Sequence, residues 1–405
     1  MKRLFITSGL LLSACILFGQ SHDKAVYSDF KAGFYDNVIL KDINPDFVRT
    51  SFPKRFTMDF SGREFPTDIK KYTRSWHSAP KSQGNTGTCW CFAVTSFIES
   101  EAYRLHGLQP DLSEMYTVYW EYVDRAKDYV NTKGETYFAQ GSEANAIKRL
   151  WPVYGIVPET AYSGLTGNHK FHSHDAMVDE MNEYLEKMKE SGNWDLATAE
   201  KDIRGILDKY MGKPPVEFIV EGKKYTPQTY LSEYLFLKPT DYFSFMSTMA
   251  FPYNEKHELV EDDNWWHSED YYNVTPDDFM KIINDAITND FTVCLCGDVT
   301  EPGYDSYAEV AVVPDFDVPS ELINEKSRQL RLENGSTTDD HCIHIVGYQK
   351  VGDDYWYLIK DSGSGGFDGP NKGYRFYHED YVKLKMMNIM VYKNAARNIL
   401  DKIIK

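Results

Sequence analysis

Apolar positions change their period once along this chain, and that change divides it. From Cys89 onward they recur at near-helical spacing, with Phe92, Ala93, Phe97, Ile98 and Tyr103 on one side. Ser113 is a candidate N-cap for a second, strongly aromatic helix in which Met115, Tyr119 and Tyr122 keep helical spacing. Gly141, Ser142 and Glu143 lead into a third helix carrying Ala144, Ile147, Leu150 and Trp151, which Pro152 kinks or ends. Residues 165–250 read as helical and charged, with helices over 177–189 and 197–211. Residues 254–278 are acidic, contain Trp265, Trp266 and His267, and read as a long surface excursion. Thr275 then caps a helix with Pro276 at its first position. From 291 the period becomes two, and strands are expected over 292–296, 343–349, 354–360, 373–378 and 387–392. Helices first and antiparallel strands afterwards predict an α+β fold of two halves with a cleft between them.

The remaining segments are peripheral to that body. Residues 1–19 read as an export signal: Lys2 and Arg3 precede a mostly apolar run to Phe18, too short to span a membrane comfortably. The expected location is periplasmic or extracellular. Leu12-Ser13-Ala14-Cys15 also has the look of a lipobox, which makes a lipid anchor at Cys15 an alternative. Residues 20–75 show little periodicity and form either an arm wrapping the body or a removable pro-segment. The body, 76–393, includes an insertion over 165–270, and 394–405 is a short tail.

Composition narrows the functions. A formal net charge of −17 gives no basic footprint for nucleic acid. Apolar content of 42 % is ample for a core. Cys294 and Cys296 alternate in an apolar run and so point to one face of a strand; no second Cys/His pair stands at ligand spacing, so zinc is not expected. His169, His172, His174 and Asp175 sit in a polar loop and read as solvated side chains rather than metal ligands. No metal or cofactor is expected.

Candidate chemistry concentrates at Gln83-Gly84-Asn85-Thr86-Gly87-Thr88-Cys89-Trp90. A glycine-rich turn delivers Cys89 to a helix N-terminus, where unpaired N–H groups and the helix dipole favour thiolate. Gln83 lies upstream across a turn that folds its amide back toward the sulfur, the place for an oxyanion donor. A nucleophilic cysteine needs a base, and His341 stands at the mouth of an apolar strand. The hairpin that follows returns as Ile359-Lys360-Asp361-Ser362-Gly363. The start of its first strand and the end of its second lie side by side, so Asp361 is placed to orient His341. His344 is the weaker candidate base.

These segments resemble the papain-like cysteine peptidases. Gln83 and Cys89 match the family's oxyanion glutamine and nucleophile, and His341, with Gly347 and Tyr348 at the expected offset, matches its base. The resemblance is greatest to the bleomycin hydrolase and aminopeptidase C branch. Thr86 replaces a disulfide cysteine of secreted papain-like enzymes, and the Cys-to-His spacing is roughly a hundred residues longer than in papain. Tyr271-Tyr272-Asn273-Val274 and the stretch from Cys296 to Val299 also look like that branch. The resemblance implies a two-lobed fold with a helical insertion, peptide substrates, aminopeptidase rather than endopeptidase action, and, by analogy alone, a homo-oligomer such as a hexamer. It implies that Gly141, Ser142 and Cys342 border the substrate groove and that 394–405 is an arm limiting it. Two departures stand out: Asp361 replaces the family's asparagine, and Gly363 replaces the indole that shields it, which predicts a more exposed pair. A weak or inactive homologue that binds peptides, or an amidase or transferase, are the alternative readings. Cys342 beside a reactive thiol also raises a Cys89–Cys342 disulfide; the plainer reading of Cys342 is a small apolar residue in the pocket wall.

Overall fold

The computed structural model describes residues 23–404. The expected export signal and Cys15 therefore lie outside the described residues. Among the described residues no helix is long and apolar enough to cross a membrane.

Six strands build the centre of one large sheet: β1 (Tyr242–Met246), β2 (Val293–Gly297), β3 (His341–Val351), β4 (Asp354–Lys360), β5 (Tyr374–His378) and β6 (Met386–Tyr392). Their spatial order is β5-β4-β3-β2-β6-β1, each neighbour antiparallel. Val310–Ala311 and Tyr304–Asp305 extend the sheet beyond β5; Tyr271–Asn273 and Glu255–His257 extend it beyond β1. Two of these outer pairings are parallel, so the sheet is mixed.

Alternation along the strands decides which layer each side chain joins. Cys294, Cys296 and Cys342 pack into the core shared with the helices, whereas Val293, Leu295, Ile343 and Ile345 face the opposite layer. The helical layer comprises α1 (Cys89–His106), α2 (Glu114–Asn131), α3 (Ala146–Tyr154), α4 (Asp175–Ser191) and α5 (Leu196–Met211). The opposite face is covered by α6 (Pro276–Thr288), whose Phe279, Ile282 and Ile283 are buried there. The expected caps form: the Ser113 side chain accepts from the Tyr116 N–H and that of Thr275 from the Asp278 N–H. Pro152 sits in the last turn of α3, which Gly155 ends.

Three expectations need correction. Residues 242–246 form a strand rather than continuing the helical stretch, because Tyr242, Phe245 and Met246 lie against β6 and are buried. Residues 254–278 are a surface excursion only in part: most of 254–270 is exposed or half-buried, but the stretch is anchored in the core. Trp265 is buried and its Nε1 donates to Glu121 Oε1 (2.7 Å), and Tyr271–Asn273 is a buried strand. The tail is not an arm in the cleft. Residues Arg397–Ile403 form a helix whose Ile399 and Leu400 pack, with Ala396, into the core layer that α6 covers, on the far side of the sheet from α1.

The segment before the body wraps it. Ala25–Ser28 pairs with Arg55–Met58, and Thr57 and Met58 bond to the Pro302 carbonyl. Further along, Phe34 stacks on Phe367 (5.0 Å) and the Tyr35 hydroxyl donates to Asn85 Oδ1 (2.9 Å).

Candidate active site

Cys89 is the first residue of α1, half-buried, with a free thiol. Thr88 caps the helix by its backbone: its carbonyl accepts from the N–H groups of Cys91 and Phe92. The N–H groups that open the helix have no acceptor within it. The preceding loop is stitched down from several sides. The Gly87 N–H donates to Gln140 Oε1 (2.7 Å), Asn85 Nδ2 donates to Asp175 Oδ2 (2.8 Å), and the Asn85 backbone exchanges bonds with His172 and His174. Gly84 has φ +69°, and a side chain there would strike the His172 backbone at 2.5 Å.

Gln83 is brought to the same loop. Its Nε2 donates to the Thr86 carbonyl (2.6 Å) and its Oε1 accepts from Ser362 Oγ (2.8 Å), which orients the amide. An amide nitrogen carries two N–H groups, so one is left for a second acceptor.

His341 opens β3, and its Nε2 lies 2.7 Å from Asp361 Oδ1. Burial pulls its imidazolium down, but the charge and hydrogen bonding of Asp361 and Cys89 outweigh it and push the group up to about 10. Asp361 follows β4, its backbone N–H on the Gly373 carbonyl (2.9 Å). Burial pushes its carboxyl up, but His341, Arg375 and the Gly363 N–H together hold it well below the carboxylate range. Cys89, His341, Asp361 and Gln83 are thus brought together. With Tyr304, Gly363 and Arg375, His341, Asp361 and Gln83 line a cleft of about 580 Å³. His344 is elsewhere: it faces α1, with Nδ1 2.8 Å from Ser96 Oγ, and burial keeps it neutral.

The pair is not exposed. The His341 side chain is 11 % accessible and that of Asp361 1 %. Gly363 lies close against the pair: a Cβ there would stand 3.2 Å from His341 Nε2 and 3.1 Å from Asp361 Oδ1.

Other candidates are placed differently. Cys342 is bonded to Cys296, not to Cys89, because the two are direct partners across β3 and β2 and share a face. Ser142 is buried with its hydroxyl on Glu121 Oε1 (2.6 Å), and the Gly141 carbonyl accepts from Arg125 Nη1 (2.5 Å). Asp263, at the tip of the 254–268 segment, lies directly against Gly141, where no Cβ fits. His172 and His174 are not solvated; burial holds them down to about 4 and about 3, and His174 Nδ1 lies 3.2 Å from the Tyr122 hydroxyl.

Two features escaped sequence reasoning. Arg375 is wholly buried against Asp361; a lone arginine inside the aromatic strand Tyr374-Arg375-Phe376-Tyr377 was the available signal. Glu143 and Asp339 share the Asn388 amide (3.3 and 2.8 Å). Burial, and repulsion from each other, from Glu261 and Asp263 and from Cys89, push both carboxyls well up. Nothing in their spacing along the chain announces that meeting.

No protein-family model and no curated protein matches the sequence. Solved structures do match. PepW from Lactobacillus rhamnosis HN001 (DR20) superposes with a TM-score of 0.65 at 18 % identity, over 84 % of this chain and 85 % of that one. A structure from work on the mite allergens Blo t 1 and Der p 1 matches at TM-score 0.36 and 14 % identity, over 82 % of this chain and 72 % of that one, a likeness too slight to build on. The chain has the papain-like fold, in the form that PepW shows.

Proposed function

We propose that the chain is an exported cysteine peptidase that removes residues from the N-termini of peptides. The observation that carries this reading is the His341–Asp361 contact at 2.7 Å beside a cysteine at a helix N-terminus. In the proposed reaction the Cys89 thiolate attacks the scissile carbonyl. The oxyanion takes hydrogen bonds from Gln83 Nε2 and the Cys89 backbone N–H. His341, carrying the proton, gives it to the leaving amine, and an acyl-enzyme remains. Water then adds to the thioester carbonyl as His341 takes its proton, and Cys89 is released as thiolate.

The choice of exopeptidase rests on the side of the cleft where Gly141 lies. Asp263 lies against Gly141, the residue after Gln140 of the cleft lining. Glu143 and Asp339 stand within electrostatic reach of Cys89 and no cation is among their main electrostatic neighbours. A substrate α-ammonium group beside them supplies the positive charge that lets a carboxyl held protonated by burial ionise. The tail, docked on the far face, has no part in this selection.

Aminoacyl amides and their N-acetylated forms, offered to wild type and Cys89→Ala, test the reading. Turnover of free but not acetylated substrates, lost in Cys89→Ala, is expected. Glu143→Gln lowers kcat/KM for free substrates by about tenfold and changes that for acetylated ones little. Equal cleavage of both forms overturns the exopeptidase assignment. Peptide binding without turnover, or turnover of non-peptide amides alone, overturns the peptidase assignment.

A further inference from the structure

Arg375 has no counterpart in the motif by which the site is recognised, yet it holds the carboxylate that holds the base. It lies on β5 opposite Ile359, two residues before Asp361 on the adjoining strand. Its side chain is 1 % accessible, as is that of Asp361. Its Nε donates to Asp361 Oδ2 at 2.9 Å and its Nη1 to the Asp305 carbonyl at 3.2 Å. The Tyr304 ring lies flat beneath the guanidinium, 4.3 Å from its carbon. Nη2 lies beside Gly365, where a Cβ would stand 2.6 Å away. The slot is shaped for a planar fork, and an ammonium group does not reproduce it.

The two carboxylate oxygens are thereby divided. Oδ1 accepts from His341 Nε2 (2.7 Å) and the Gly363 N–H (2.8 Å); Oδ2 accepts from Arg375 Nε, with the Tyr304 hydroxyl at 3.5 Å. Rotation of the carboxylate breaks contacts on both sides. Charge is divided as well. An amide in this position would orient the imidazole without charge, whereas a carboxylate attracts the imidazolium proton. A buried carboxylate facing imidazole alone would bind that proton too firmly for delivery to a leaving amine.

We propose that Arg375 is a positioning residue: it fixes the Asp361 carboxylate and shares its charge, so that His341 gives up its proton during acylation. The pair Asp361–Arg375 together does the work of a neutral amide. This rests on the peptidase reading given above. The other titratable groups around the pair are Cys89 from α1, Tyr304 and Tyr377, and Glu309, which Asn371 binds through its N–H and Nδ2. Tyr304 and Tyr377 are buried and raised by desolvation, so they stay neutral where His341 titrates.

The test compares wild type, Arg375→Gln, Arg375→Lys, Asp361→Asn and the double variant Asp361→Asn/Arg375→Gln. Carbamidomethylation of Cys89 by iodoacetamide is followed against pH, alongside kcat and KM on an aminoacyl amide and a thermal melt. In Arg375→Gln the loss of a nearby cation strengthens the hold of Asp361 on the imidazolium, so the alkaline limb of the alkylation profile moves up by about half a pH unit or more. kcat falls about tenfold with KM nearly unchanged. Arg375→Lys restores the limb but not kcat. Asp361→Asn alone leaves a buried guanidinium unpaired, so the double variant is more active than that single one. An unmoved limb in Arg375→Gln, or a double variant no better than Asp361→Asn, overturns the proposal. If Arg375→Gln does not fold, Arg375→Lys and the double variant decide. A wild type whose Cys89 alkylates only as an ordinary thiol overturns the peptidase reading itself, and with it this one; a normal wild-type profile with unaltered variants overturns this one alone.

Discussion

Gly363 and His341 are in contact range of a single methyl group: a Cβ on Gly363 would stand 3.2 Å from both Cε1 and Nε2 of the imidazole and 3.1 Å from Asp361 Oδ1. The positions where a family pattern is broken are thus fitted to one another. Gly363→Ala must displace the hydrogen-bonded pair by a few tenths of an ångström. It is expected to lower kcat by about tenfold while shifting Tm little, read from steady-state kinetics and calorimetry side by side. Gly363→Trp, which introduces the residue type of the resembling family, is expected to inactivate rather than improve the protein, because its Cβ already meets the Asp361 carboxylate and the His341 ring.

The Cys296–Cys342 bond closes a loop of 46 residues. Loop entropy alone makes it worth about 4 kcal/mol. Reduction, or Cys342→Ala, should therefore lower Tm markedly. Cys342→Ala should not relieve any dependence of activity on reductant, since Cys342 is not the partner of Cys89. Thiol counting on unfolded, unreduced protein checks the pairing: among the described residues only Cys89, Cys91 and Cys294 should react.

The pH dependence follows from His341 and Asp361. His341 is raised from 6.5 to about 10, so its pairing stabilises the fold fully below about 6.5, and that contribution is lost as pH rises through about 10. Asp361 is lowered, so its contribution is present above the ordinary carboxylate range and is lost as pH falls below it. Activity should persist well above neutrality and fall near pH 10, where the imidazolium is lost. Asp361→Asn should bring that alkaline limb down toward the ordinary histidine value. Titration of kcat/KM against pH in the two proteins measures the difference.

Removing 394–405 should cost stability, not specificity. Ile399 and Leu400 are 2 % and 7 % accessible, and truncating one such side chain costs about 2–4 kcal/mol. The ratio of cleavage of free to acetylated substrate should be the same in Ile399→Ala as in wild type. A changed ratio would return the tail to the cleft.

Much of the site was legible in the sequence because its parts are local. A glycine turn running into a helix placed Gln83 and Cys89 together, and a hairpin placed His341 beside Asp361. The alternation of Cys294 and Cys296 placed both on the helix side of the sheet. It did not reveal the partner of Cys296, because pairing depends on the register of β2 against β3, and these strands are separated by an unrelated segment. The buried role of Trp265 was hidden for a similar reason. Its acidic surroundings look solvated until Glu121, Arg149 and Ser142 are seen to converge on the same place. Strand β1 was missed because its aromatic run carries no alternation, being buried on both faces.

The loop that carries Cys89 is pinned by Asn85 to His172, His174 and Asp175, and the imidazole proposed as its base is set by residues near the other end of the chain, from His341 to Arg375. A ribosome therefore delivers the thiol early and the imidazole, carboxylate and guanidinium late. On the proposed reading, a chain clipped before His341 keeps Cys89 and its helix but has no base to serve it, and is expected to turn over no substrate.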